Sequence, residues 1–585
     1  MSTVPRMTRR RLAIAILLMV AIFGVFVVRL VDIQVVRAEE LNTESLDKRA
    51  IGVTTYSARG DIVDKAGAVL AGSVMRYDIT VSPRTVPKDS FIRGTGEDKV
   101  EITIAEAAAE IAAITGQTQS QVLAAFTTNP ESDFEYVAQR VTTAQMREVR
   151  ALNIPGIYPR QRPARIYPDG SVAGNLVGFV GTDGPQNGLE FTQNSCLAST
   201  DGSSTYERGA DGIRLPGSTV TTQEAIDGGT VMTTIDHDLQ WSVQQAIAEQ
   251  ALAIGAESAS ATVTEVKTGK ILALADWPAV DPNNVNGSSA DRMGSLAFST
   301  PYEPGSTFKP MTAAMLLDQG VADPSSRVTV PYRWTSPDGA VVRDANPHPD
   351  QQLTLAGVLE QSSNVGISQL AVRLPNSVRY DYLRAFGVGS PTAVGFQGES
   401  AGLLSSTWSN QTKYDVAYGQ GVSVTAAQMA SIYQTIGNGG VKMPLTLVTG
   451  CKHADGTITD AASTEGTRVV SEAAADSVVQ MMEGVVSGGS LSKALQIPGY
   501  RVAAKSGTAE IAANGVYTRD RVVSLAGLAP AEDPQYAVIV TFVKPSTIKT
   551  SAAAAPTFTK IMTQVLKTYR VTPSSTSPPN LPTTW

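Results

Sequence analysis

The sequence predicts a multidomain α+β protein hung on a single N-terminal transmembrane helix. Three features carry that prediction. The chain has 585 residues, enough for several domains. An uncharged apolar run occupies Leu12–Val28. The remainder mixes strand-like and helical stretches, and its texture changes near residue 226.

The apolar run gives about 26 Å of helix, slightly short of a ~30 Å hydrocarbon core, and continuing to Val36 makes up the length. Arg29 can then reach the headgroups or pair with Asp32. Arg6, Arg9, Arg10 and Arg11 precede the span, which predicts a cytoplasmic tail at 1–11, an anchor at 12–36 and everything else outside. The alternative is a cleaved signal peptide, with Val36-Arg37-Ala38 as a poor cleavage site on an overlong apolar segment.

Beyond the anchor, RGDIVDKAGAVLA (59–71) reads as two strands about an Asp-Lys-Ala-Gly turn. Helical periodicity covers 103–127 and 142–152, and Pro155-Gly156 breaks it. Residues 199–218 are polar and glycine-rich, as in an exposed loop or hairpin at a boundary. A helix is expected over 238–254, then two strands around Lys267-Thr268-Gly269-Lys270. Long helical stretches follow over 306–435, then the strands RVVSLAGLAP and QYAVIVTFV and a helix over 557–570. The proline- and serine-rich segment 571–585 is expected to be disordered. The resulting divisions are 40–225, 226–570 and 571–585.

Composition excludes several functions. A net charge of −7 argues against nucleic acid, and charged residues are only 17% of the chain. Three scattered histidines and two cysteines offer no metal-ligand spacing, so neither a metal nor another cofactor is expected. They leave little for a Ser-His-Asp triad. Cys196 and Cys451, outside the reducing cytoplasm, either pair or remain two thiols; spacing does not decide.

Serine chemistry remains. Ser-x-x-Lys occurs at Ser45, Ser306, Ser490 and Ser546, Ser-x-Asn only at Ser362–Asn364, and Lys-[Ser/Thr]-Gly at Lys267 and Lys505. Taken singly, each is more often coincidence: Ser362 could cap a turn and Lys505 could be a solvated strand residue. Chain order selects one set. Ser45 lies in a charged stretch beside the membrane, while Ser490 and Ser546 come after Ser362. Only Ser306-Thr307-Phe308-Lys309 precedes Ser362-Ser363-Asn364 and then Lys505-Ser506-Gly507.

That set has a chemical logic. Residues i and i+3 share a helix face, so the Lys309 amine can reach the Ser306 hydroxyl and activate it as a base. Burial and a second cation, Lys505, would lower the lysine pKa. The helix N-terminus favours negative charge developing on a substrate carbonyl. Ser362 can relay a proton to a leaving amine, and Asn364 can hold Lys309 and a substrate backbone. Gly507 leaves room for that backbone to approach. Lys267-Thr268-Gly269 precedes the nucleophile and reads as a hairpin tip, with Gly269 for the turn.

With these three motifs, and with RGDIVDKAG (59–67), RIYPDG (165–170), GLE (188–190) and TTIDHDLQ (233–240), the chain resembles the class B penicillin-binding proteins, peptidoglycan D,D-transpeptidases. The resemblance runs from the anchor to about residue 570. It implies an elongated non-catalytic pedestal over 40–225, of the dimerisation type. It implies a penicillin-binding/β-lactamase-like transpeptidase domain over 226–570, with a central antiparallel sheet flanked by helices. It implies Ser306 as the acylated nucleophile, Lys309 as its base, and Ser362, Asn364 and Lys505 as the second- and third-motif groups. Ser506 and Thr508 would contact the terminal carboxylate of a D-alanyl-D-alanine stem peptide, with the N–H groups of Ser306 and Thr508 as oxyanion hole. YGQGVSVTAAQMASIY (418–433) and SSNVGISQLA resemble division-specific, FtsI-type members, which implies an FtsW-type membrane glycosyltransferase as partner, septal localisation and covalent β-lactam binding. An elongation-type enzyme, a β-lactamase or sensor on the same fold, and a scaffold that has lost catalysis are the alternatives.

Overall fold

A computed structural model describes residues 6–207, 215–513 and 516–585. By backbone contacts the chain divides into two compact units, residues 1–58 with 199–227, and residues 59–198 with 228–585. Residues 59–198 pack in one unit with 228–585.

The first unit holds helix α1 (Arg6–Val31), extended by a wider turn over Asp32–Val36. Arg9–Val36 is one helix long and apolar enough to cross a membrane, and none of it is buried against protein. Arg29 does pair with Asp32, at 2.6 Å. The unit also holds an antiparallel sheet of Ala50–Thr55, Gly202–Glu207 and Val220–Gln223. Of the two forms expected for 199–218, a loop or a hairpin, the antiparallel pairing of Gly202–Glu207 with Val220–Gln223 is the hairpin, and the 208–214 portion lies outside the described residues.

In the second unit, Ile62–Val63 and β1 (Val69–Val81) pair about a turn with Gly67 at φ 91°. Asp64 accepts the N–H groups of Ala66 and Ala68 there. β2 (Glu135–Val141) and β3 (Ile157–Ile166) flank β1 antiparallel. Against them pack α2 (Ile104–Thr115), α3 (Gln119–Thr127) and α4 (Thr143–Ala151), whose apolar faces share one core. The run 103–127 is therefore two helices. Gly116, at φ 76°, ends the first, and Thr118 with Gln121 boxes the start of the second.

Three motifs far apart in sequence meet in this unit. The fully buried Glu190 carboxylate binds Arg59 at 2.7 Å and Arg165 at 2.5 Å, and Arg59 also reaches Asn194. These matched positions form a structural clamp. Asp236 likewise caps α5 (His237–Ile254) and pairs with Lys65 at 2.8 Å. The two cysteines are joined: Cys196–Cys451 is a buried disulfide spanning 255 positions.

A five-stranded antiparallel sheet forms the centre. Its strands are β4 (Ser258–Glu265), β5 (Ile271–Trp277), β6 (Ala503–Ala513), β7 (Val516–Ala529) and β8 (Tyr536–Val543), in the order β5-β4-β8-β7-β6. The β8 run YAVIVTFV is almost wholly apolar because both faces are covered. Val538, Val540 and Phe542 face α5 and α11 (Ala555–Thr568). Ala537 and Ile539 face the opposite core, which contains α6 (Lys309–Asp318), α9 (Ala426–Gly437) and α10 (Glu472–Ser487).

Two expectations need correction. Residues 306–435 are not long helices. They hold shorter ones, among them α7 (Leu355–Glu360) and α8 (Asn364–Ala371), and small β-ribbons such as Arg327–Val330 with Gln351–Thr354 lie between α6 and α7. Residues 571–585 are not free: they hydrogen-bond to Gly499, Arg501, Gln352 and Thr354. Their composition cannot build a core, but it can dock on one already built.

Candidate active site

Ser306 lies on a single 3-10 turn (Gly305–Phe308) that runs straight into α6. Pro310 falls within the first helical turn, where a missing N–H costs nothing. The turn is locked from several sides. Gly305, at φ 56°, donates to Gly419 O at 3.0 Å. Tyr433 Oη donates to Thr307 O at 2.9 Å, and Glu303 accepts Gly421 N–H at 2.8 Å. The segment 418–421 thus cradles the turn, which its sequence did not announce.

Lys309 and Lys505 are fully buried. The Lys309 amine donates to the carbonyl of Ser362 and lies 3.3 Å from its hydroxyl. The Lys505 amine, reaching in from β6, donates to that same hydroxyl at 2.9 Å and to Ser506 O at 3.2 Å. Ser362 Oγ therefore sits between two amines. Burial pushes Lys505 down to about 7. Burial first, and then the Lys505 cation, hold Lys309 well below the usual lysine range, with Asp344 opposing.

Ser362 has φ 59°, a left-handed conformation that side chains rarely adopt. What holds it there is the junction of two short helices. Ser362 N–H bonds Leu359 O behind it, and Ser363 caps α8 ahead. Asp344 anchors the cap: its carboxylate accepts Ser363 Oγ at 2.7 Å, Asn364 N–H at 2.6 Å and Val365 N–H at 2.9 Å. His348 Nε2 lies 3.1 Å from the same carboxylate, and Nδ1 2.7 Å from Pro349 O. Burial works against charge on His348, but those two acceptors prevail and raise it. No motif marks Asp344 or His348; only the fold brings them to the site.

Some expected contacts differ. Among the described residues no hydrogen bond joins Ser306 Oγ to the Lys309 amine, although both lie on one turn. Asn364 Nδ2 donates to Arg343 O at 3.1 Å, and the Lys309 amine donates to Ser362 instead of to the Asn364 amide oxygen. A Cβ on Gly507 would meet Ser524 Oγ at 2.6 Å and Pro304 O at 3.0 Å. The missing side chain therefore admits Ser524 and the nucleophile turn against β6. Ser506 is half-buried and Thr508 exposed beside it, with Thr508 Oγ1 accepting Ser551 N–H at 3.1 Å. Lys267-Thr268-Gly269 is the tip of the β4–β5 hairpin, with Gly269 at φ 75° and the exposed Lys267 3.5 Å from Asp533.

Residues 259–563 match the penicillin binding protein transpeptidase domain, and residues 54–233 the penicillin-binding protein dimerisation domain. Penicillin-binding protein PbpB of Mycolicibacterium smegmatis is 35% identical over 95% of this chain and 90% of its own length. Peptidoglycan D,D-transpeptidase FtsI of Escherichia coli K12 is 32% identical over 94% and 90%. Among solved structures, penicillin binding protein 3 of Mycobacterium tuberculosis complexed with aztreonam superposes with a TM-score of 0.69 at 28% identity, covering 91% of this chain and 100% of that one. The chain belongs to the class B penicillin-binding proteins, with a dimerisation domain followed by a transpeptidase domain.

Proposed function

We propose that the chain is a septal peptidoglycan D,D-transpeptidase acting through a serine acyl-enzyme. The observation that carries this reading is the buried chain Lys309–Ser362–Lys505 set beside the Ser306 turn, with both amines depressed. An amine whose charged form is disfavoured by burial is a readier proton acceptor than an ordinary solvated lysine.

In this reading Lys309, its charged form disfavoured by burial, takes the Ser306 proton as Oγ attacks the carbonyl carbon of the penultimate D-alanine. The N–H groups of Ser306 and Thr508 hold the oxyanion. As the C–N bond breaks, the proton passes through Ser362, flanked by Lys505, to the departing D-alanine amine. The ester left on Ser306 is then attacked by an acceptor amine, which restores the serine and forms the cross-link. Asn364 orients the donor backbone, and Ser506 and Thr508 hold its terminal carboxylate. A β-lactam would acylate Ser306 by the same attack: the ring C–N bond breaks, and the ring nitrogen takes the proton while staying tethered to the adduct.

The anchor and the disulfide support an extracytoplasmic catalytic domain with a cytoplasmic N-terminus. The pedestal at 40–225 would carry the transpeptidase domain at 226–570, alongside an FtsW-type glycosyltransferase. Fluorescent penicillin should label the protein, and Ser306→Ala should abolish labelling; persistent labelling would remove Ser306 from its role. A long-lived adduct fits a transpeptidase, while rapid release of hydrolysed drug points to a β-lactamase. Depletion in cells should give filaments, whereas rounding would indicate elongation.

A further inference from the structure

The segment 571–585 lies beyond the matched transpeptidase span, which ends at residue 563. It nevertheless touches the run-in to two of the three motifs. Val571 O accepts Tyr500 Oη at 2.6 Å, and Ser574 N–H donates to Gly499 O at 2.9 Å. Ser574 Oγ accepts Arg501 N–H at 2.9 Å, and Thr576 Oγ1 lies 2.6 Å from Arg501 Nη1. The Arg501 guanidinium is itself fixed by the buried Glu483 at 2.6 and 2.8 Å. Residues 499–501 lead directly into β6, which carries Lys505.

Further on, Leu581 packs on the hydrophobic core that includes the second motif's helices among others. Pro582 O accepts Thr354 Oγ1 at 2.6 Å, and Thr583 O accepts Thr354 N–H at 3.1 Å. Thr584 pairs antiparallel with Leu353, and Trp585 lies 5.1 Å from the Arg327 guanidinium. Thr354 also caps α7 through Gly357 N–H. That helix is six residues long and delivers Ser362 two positions after its end. Gly357 has no side chain to obstruct the segment: a Cβ there would fall on Thr583 O, far inside van der Waals contact.

We propose that residues 571–585 are an intramolecular strap that sets the Ser362 hydroxyl against the Lys505 amine, by pinning α7 at one end and the entrance to β6 at the other. The two groups belong to elements 143 residues apart in sequence, and the strap is a single stretch of chain bound to both. It holds positioning residues, and it rests on reading Ser362 and Lys505 as the relay pair.

The experiment compares full-length protein in detergent with a variant ending at Thr576 and with Gly357→Ala, reading the second-order rate of fluorescent-penicillin acylation. Loss of the strap should slow acylation by about tenfold or more, since misplacement near 1 Å is that costly. Gly357→Ala should reproduce the loss in the full chain but add nothing in the shortened chain. A peptide of residues 577–585 should restore the rate of the shortened chain and leave Gly357→Ala slow. An unchanged rate, or losses that multiply when the two changes are combined, would overturn the strap. Should the shortened chain fail to fold, Gly357→Ala decides through amide hydrogen exchange over 351–366, which must quicken. Labelling of Ser306→Ala in the same assay would instead overturn the site reading itself.

Discussion

Lys309 and Lys505 bury two amines, and among the described residues neither hydrogen-bonds a carboxylate. Such groups are costly to charge, so the site is set up for proton transfer at the expense of stability. The sign follows from linkage. A lysine at about 7 when folded and about 10.4 when unfolded binds fewer protons in the native state across that window, so stability rises with pH there. The slope is at most about 1.4 kcal/mol per pH unit for each such lysine. Lys505→Met should therefore unfold at higher temperature than wild type at pH 7, with a flatter rise between pH 7 and 10. It should also move the acidic limb of the acylation profile upward, because the cation that depresses Lys309 is gone. Thermal melts and acylation rates across that range check both. These lysines were legible in sequence because motif order, not spelling, selected them; Lys267-Thr268-Gly269 has the commoner spelling and lies at an exposed hairpin tip.

The short elements around Ser362 work only as a joined set. α7 and α8 have too few turns to be stable alone, so the caps at Thr354 and Ser363 and the Asp344 carboxylate hold the junction. Asp344→Asn keeps the shape but removes the charge that opposes the depression of Lys309. The acidic limb of the acylation profile should then move to lower pH, while stability falls by about 1–3 kcal/mol as His348 and Ser363 lose a charged acceptor. A pH–rate profile with a denaturant melt tests it, and an unshifted limb would mean that Asp344 acts on structure alone. Sequence periodicity missed this region. α7 is buried on almost every side, so its apolar run LAGVL carries no stripe to mark where a short helix begins and ends. The close packing of Gly507 is likewise invisible in sequence: its bare Cα faces Ser524 Oγ and the chain's own 304–307 turn.

Across the second unit, the Glu190 clamp joins segments up to 131 residues apart and the Cys196–Cys451 disulfide joins segments 255 apart. Closing a loop of 255 residues removes unfolded-state entropy worth up to about 5 kcal/mol. The double variant Cys196→Ser/Cys451→Ser should melt well below wild type, and a reductant should lower the wild-type melting temperature without affecting the variant. The architecture of this unit was largely legible, because ordered motifs carry family likeness even where periodicity fails. The cysteine pairing was not, since it depends on distances in three dimensions. Nor was the docking of 571–585, whose composition describes the segment in isolation and not the groove left open by Gly357.

The left-handed backbone at Ser362 has a consequence for anyone altering this protein. Glycine or asparagine would relax that conformation, so a library ranked by heat resistance will favour them at position 362. The same replacements discard the hydroxyl between the two amines. Thermostability selection and turnover selection thus pull this codon in opposite directions, and stabilisation campaigns should hold it fixed.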